Sequence, residues 1–276
     1  RNGGTPGRLK RFDIRLVRSS SEGRYVPLVR KSRNATRRVK RLSATRSTPL
    51  SRPVVDYSNA MDLKQDLVSN LADVSSLRDF GGCYIVEGRY LLKPAKAIGA
   101  SFVSMVDHGD MSAYKARADE AAIHLPDTRF ETVNADFRHA ATFSGLEPVD
   151  ASILFEVLLH QENYSEVVRN VTSTSNKFVC VAQPCLREEW FPLPSSSTLL
   201  QFWDEELKDE IRRDSFWPKE ERTTTFTSAS WMWGHTTSHL IDLFGGYGWS
   251  LEHGEVIPNV CGAHWEYPLL VFRAPA

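Results

Sequence analysis

Cysteine is scarce in this chain, net charge is absent, and no apolar run approaches the roughly 18 residues that a membrane-spanning helix needs. The four cysteines, Cys83, Cys180, Cys185 and Cys261, form no CxxC pair, so a disulfide scaffold is excluded and free thiols in a reducing cytosol are expected. Cys180 and Cys185 have four residues between them and no nearby histidine, so no metal site is expected. The chain as given opens at Arg1 without an apolar h-region, which predicts no secretory signal within it and a cytoplasmic location.

The 276 residues are 41% apolar, 25% charged and 11% aromatic, an ordinary globular composition with room for one large domain or one domain with appendages. The zero net charge hides a segregation. Residues 1–53 hold 16 Lys/Arg against 2 Asp/Glu, and the remainder holds 18 against 32. This predicts a basic arm, 1–53, and a main domain, 54–276. Within the arm, Leu9, Phe12, Leu16 and Val17 recur at near-helical spacing among basic residues over 8–18, the pattern of a short amphipathic helix. Two readings of the arm stand. It is a tether to anionic phosphate, on a membrane surface or RNA, or a solvated tail. The absence of interleaved aromatics for base stacking favours lipid over RNA.

From Val54 onward, helical and strand patterns alternate. The leucines of 62–77 predict a helix, as do 112–124, 163–174 and 236–244, where Gly245-Gly246 is expected to stop the last. Strands are expected at 102–106, 128–133, 149–155, 177–182, 249–257 and 265–272. This alternation defines an α/β fold with a largely parallel sheet. Residues 187–235 break it with tryptophans, acids and prolines, and read as an inserted helical lid.

The stretch 79–107 holds the chemistry. Gly81, Gly82 and Gly88 make a glycine-rich turn, an apolar helix follows, and Asp107 ends the next strand, about 20 residues beyond the turn. Glycines let the backbone approach a ligand, a helix N-terminus offers free N–H groups, and a carboxylate at the next strand tip accepts ribose hydroxyls.

With these elements in this order, the chain resembles the class I S-adenosylmethionine-dependent methyltransferases across 62–276. The resemblance implies a Rossmann-like, mostly parallel seven-stranded sheet whose last strand runs antiparallel after a hairpin. It implies S-adenosylmethionine as cofactor, with Asp79, Gly81, Gly82 and Gly88 at its methionine end. Asp107 would then take the ribose, and Asp136 and Phe137 would flank adenine. Gly88 comes late, as if residues were inserted at 84–86. The segment 149–160, ending Glu156-Val-Leu-Leu-His160, is similar to the strand-four region of the subgroup ending Val-Leu-Tyr-His, which includes wobble-uridine carboxymethylating enzymes and sugar and natural-product O-methyltransferases.

His160 would sit beside the reactive methyl and, with a free pKa near neutrality, could accept a hydroxyl proton; Glu156 is the other candidate. A packing or capping role is the alternative for His160, as a helix cap is for Asp136. His235 and His239, four apart on an expected helix, and Trp217, Trp231 and Trp233 are the candidates for acceptor binding in the lid, weighed against plain core packing. The expected activity is O-methylation of a sugar or other small or lipid-linked hydroxyl. An RNA methyltransferase and a catalytically silent relative are the alternatives.

Overall fold

In a computed structural model, the chain is described at residues 57–83, 86–190, 195–199, 232–257 and 264–276. The basic arm, the interior of the predicted lid with Trp217 and Trp231, and Cys261 lie outside the described residues.

Side chains that alternate along each strand divide the interior into two layers. Met105, Ile153 and Cys180 face one cluster, while their neighbours Val106, Leu154 and Val181 face the other. Strands buried on both faces read as continuous apolar runs, which is why β2 (Phe102–Asp107), β4 (Val149–Phe155) and β5 (Ser175–Ala182) were legible. With β1 (Ser76–Phe80), β3 (Arg129–Asn134), β9 (Ser250–Val256) and β11 (Pro268–Arg273) they form a seven-stranded sheet of order β3-β2-β1-β4-β5-β11-β9. The first five strands are parallel, and β11 runs antiparallel to both β5 and β9, so the expected reversed strand is present.

Helices α1 (Tyr57–Ser69), α2 (Arg89–Ile98) and α3 (Ser112–His124) cover the first cluster. The short α4 (Ala140–Phe143), α5 (Tyr164–Ser173) and α6 (Thr237–Gly246) cover the second. β7 (Ser197–Leu199) pairs with β8 (Trp233–His235), and β6 (Cys185–Leu186) pairs with β10 (Trp265–Glu266).

Three expectations are corrected. The helix predicted over 62–77 ends at Ser69, because Asp73 turns left-handed (φ 57°) and Leu77 to Phe80 are buried in β1. Its leucine spacing continued by coincidence into a turn and a strand. Gly245-Gly246 form the last turn of α6 rather than stopping it before Gly245. His235 and His239 do not share a helix. His235 is in β8, and Thr236, in extended conformation, caps α6 by accepting the His239 N–H at 3.2 Å.

Candidate active site at the carboxyl edge of the sheet

β1 delivers the chain to its carboxyl edge at Asp79-Phe80, and Gly81 turns it with φ 79° while its N–H donates to the Val106 carbonyl at 3.0 Å. The late Gly88 has a simple geometric solution. Its N–H donates to the Gly82 carbonyl at 2.8 Å, and the Glu87 N–H donates to the Cys83 carbonyl at 3.3 Å. Gly88 thus returns beside Gly82 to start α2. At φ 78°, and with a Cβ there only 2.3 Å from the buried Tyr114 ring, this position requires glycine. Gly82 is constrained by contact instead: a Cβ would lie 2.0 Å from Asp79 Oδ2.

Two acids meet at this turn. Asp107 at the tip of β2 is buried; its Oδ2 accepts the Cys83 N–H at 3.1 Å, and its Oδ1 accepts the N–H groups of His108 (2.7 Å) and Gly109 (3.2 Å). Three of about four acceptor positions on the carboxylate are thus filled by backbone. Asp79 is buried beneath the turn and its Oδ2 has no hydrogen-bond partner among the described residues. Burial, and then the charge of Asp107, push its carboxyl up to about 8. Burial likewise raises the Cys83 thiol to about 12, with Asp107 adding to it, so Cys83 is no nucleophile at neutral pH.

At the tip of β3, Asp136 binds the Arg138 guanidinium in a fork, with both its oxygens accepting from Nε at 2.9 Å. That hydrogen bonding holds the carboxyl at about 2. Phe137 is buried edge-on against Phe80 (centroids 5.9 Å) and lies under Gly81. The predicted adenine-flanking pair is therefore at the same edge, with the phenyl in the core and the carboxylate at the surface.

At the tip of β4, Glu156 has left-handed backbone (φ 61°), an uncommon state for a residue with a Cβ. Its Oε1 accepts the Lys64 ammonium at 2.9 Å and the Tyr267 hydroxyl. Burial raises the Glu156 carboxyl, but Lys64, the Tyr267 hydroxyl and His160 outweigh it and hold it below the ordinary range. Val157 then touches the glycine turn, its Cγ2 lying 3.2 Å from where a Gly81 Cβ would be. His160 ends the 3₁₀ turn Leu158–His160, with an exposed side chain and its N–H donating to the Val157 carbonyl at 3.1 Å.

The remaining predicted residues form a ring stack beside that turn. Trp233, His235 and His239 are near-parallel, at 6.1 and 5.4 Å between successive centroids, and Tyr164 meets all three edge-on. Trp233 Nε1 donates to the Gln161 carbonyl at 2.9 Å, which ties β8 to the segment carrying His160. His235 is fully buried, and burial followed by His239 lowers its pKa to about 3, so it is neutral; burial also lowers His239. His235 is buried and His239 half-buried, an arrangement in keeping with the packing alternative and with a place for His239 at the rim of the site. Lys64, Tyr90 and Tyr267 escaped sequence reasoning. Their signal was faint: Lys64 falls between Ala60 and Val68 on the buried stripe of α1.

This sheet order, with the reversed β11 between β5 and β9, is the Rossmann-like fold of the class I S-adenosylmethionine-dependent methyltransferases. No protein-family model matches the sequence, and no curated protein matches it. Solved structures match by fold. An O-methyltransferase family protein from Burkholderia thailandensis aligns over 80% of this chain and 59% of its own, with TM-score 0.53 and 14% identity. Coclaurine N-methyltransferase, solved with N-methylheliamine and SAH, aligns over 81% of this chain and 75% of its own, with TM-score 0.55 and 13% identity. For the pyocyanin biosynthetic protein PhzM the shares are 79% and 55%, with TM-score 0.50 and 15% identity. The chain thus spans 59% and 55% of the lengths of the Burkholderia protein and PhzM.

Proposed function

We propose that this chain is an S-adenosylmethionine-dependent methyltransferase acting on a hydroxyl of a small molecule, such as a sugar or a lipid-linked acceptor. The observation that carries the reading is the meeting of the left-handed glycine turn with Asp107 at the carboxyl edge of a sheet in methyltransferase order. The donor set suits a cationic nucleoside. Asp79, Asp107 and Glu156 stand at the tips of β1, β2 and β4, and Asp79 Oδ2 is buried without a hydrogen-bond partner among the described residues. Gly82 and Gly88 have no room for a side chain, so backbone is what the turn presents.

In this reading Asp107 holds the ribose hydroxyls, Asp136 and Phe137 flank the adenine, and the turn from Asp79 to Gly88 cradles the methionine end. The bound cofactor supplies an electrophilic methyl group. The protein's part is to align an acceptor hydroxyl with it, exclude water and take the hydroxyl proton. His160, exposed at the tip segment and close enough to Glu156 to influence its charge, is the base. The anionic arm partner, lipid or RNA, rests on charge alone.

The test is calorimetric titration with S-adenosylhomocysteine. Micromolar binding is expected, weakened at least about tenfold in Asp107→Asn, which keeps the shape but turns one acceptor into a donor. His160→Ala should keep that affinity and lose turnover of S-adenosylmethionine; unchanged turnover would remove His160 from the mechanism. A second reading, a silent relative that acts as a binding subunit, is favoured by the three backbone donors already on Asp107 and by the Lys64–Glu156 pair. Absence of binding at millimolar ligand would select it.

A further inference from the structure

Lys64 is nearly completely buried, and aromatic rings surround its ammonium. Nζ lies 4.8 Å from the Tyr90 ring centroid, 4.9 Å from that of Tyr267 and 5.9 Å from that of Phe155. It also donates to the Tyr90 hydroxyl and to Glu156 Oε1, both at 2.9 Å. Aromatic rings and a carboxylate gathered around one cation are the makeup of sites that recognise ammonium and other onium cations.

Three features mark this cage as more than an internal ion pair. It is built from four parts of the chain that converge on the site: the first turn of α2, the tip of β4 and the residue just before β11, with Lys64 alone coming from α1. Glu156 keeps a left-handed backbone there, the kind of strained conformation that gathers at ligand sites. The Glu156 side chain is 34% exposed, so the cage opens to solvent on the carboxylate side, next to the Val157–Gly81 contact. Lys64 reaches it on a flexible four-carbon stem.

We propose that Lys64 is an internal placeholder in a cation-binding cage formed by Tyr90, Phe155, Tyr267 and Glu156, displaced when the ammonium or sulfonium centre of a ligand enters. The methyltransferase reading bears only on which cation that is; the cage is tested with a simpler one. Tetramethylammonium carries the charge and methyl surface of an onium group and has no nucleoside. Its binding, followed by the NMR signals of the tyrosine rings, should be at least about tenfold tighter in Lys64→Met than in the wild type, because the competing ammonium is gone. Tyr267→Leu in the Lys64→Met background should abolish that gain. Equal affinities in wild type and Lys64→Met would overturn the proposal, and Lys64→Gln provides the same comparison should Lys64→Met not fold.

The wild-type protein gives an independent measurement. Acylation of Lys64 by an amine-reactive reagent, mapped by mass spectrometry, should be slow alone and several-fold faster with saturating tetramethylammonium. Protection that the cation leaves unchanged would also overturn the proposal. Should tetramethylammonium expose Lys64 while S-adenosylhomocysteine fails to bind, the cage stands and the cofactor reading falls. Should S-adenosylmethionine, which carries the sulfonium that S-adenosylhomocysteine lacks, bind with Lys64 equally protected and with equal affinity in Lys64→Met, the cofactor reading stands and the placeholder falls.

Discussion

Replacing Gly88 with alanine tests the glycine turn through two separable costs. The first is conformational: at φ 78° an alanine loses roughly 1–2 kcal/mol against its Cβ clash with the backbone. The second is packing. The new methyl would lie 2.3 Å from Tyr114 Cδ2 and 2.8 Å from Cε2, and Tyr114 is fully buried, so neither group can yield without moving the helix; overpacking of this kind costs about 1–3 kcal/mol. Gly99 is the internal control. It caps the other end of α2 at φ 64° with nothing within 4 Å of its added Cβ, so Gly99→Ala carries the conformational cost alone. Urea unfolding should therefore show Gly88→Ala destabilised by about 3–4 kcal/mol and Gly99→Ala by about 1 kcal/mol. In a thermal melt these correspond to drops of about 10 °C and about 3 °C. Adding Tyr114→Ala should relieve the packing part, so that the double variant is more stable than the two single costs predict. Equal destabilisation by Gly88→Ala and Gly99→Ala, or strict additivity with Tyr114→Ala, would refute the account of the turn.

Asp79 gives a pH prediction. Its folded pKa of about 8 lies above the ordinary 3.8, so the folded chain holds a proton that the unfolded chain releases, and its contribution to stability declines as pH rises from 4 through 8. Asp79→Asn should remove a loss on the order of 5 kcal/mol across that window, read as urea midpoints against pH, and parallel profiles for the two proteins would contradict it. Arg78, fully buried in β1, donates from Nε to Ser104 Oγ at 3.0 Å and faces Glu131 at 3.5 Å. Glu131→Gln should cost about 2 kcal/mol, discounted because Glu131 is partly exposed, while Arg78→Met should be near neutral, since an apolar chain of similar length needs no partner. A large loss in Arg78→Met with none in Glu131→Gln would reverse that assignment.

Legibility followed burial geometry. β2, β4 and β5 were readable because both their faces are covered, so nearly every residue is apolar; the end of α3 was readable because Pro126 follows it. β1 was not. Arg78 and Asp79 interrupt its apolar run, and the leucines preceding it keep helical spacing past the true end of α1. The histidines four apart were expected to share a helix face, and their rings do stack, but through a strand end and a cap that local spacing does not distinguish from a helix.

By itself, the sequence determined the alternation of strand and helix, the glycines and Asp107 at a strand tip, and the division of charge between the first 53 residues and the rest. These are local properties: periodicity, turn chemistry and composition. Tertiary structure decided what depends on residues distant in the chain. It brought Gly88 back beside Gly82 through a backbone hydrogen bond. It placed Asp79 beside Asp107, which raises the Asp79 pKa along with burial. It also brought Lys64, Tyr90, Glu156 and Tyr267 together from across about 200 residues. A lysine in α1 and a tyrosine in the last third carry no mutual signal in sequence, because the contact between them exists only once the sheet has closed.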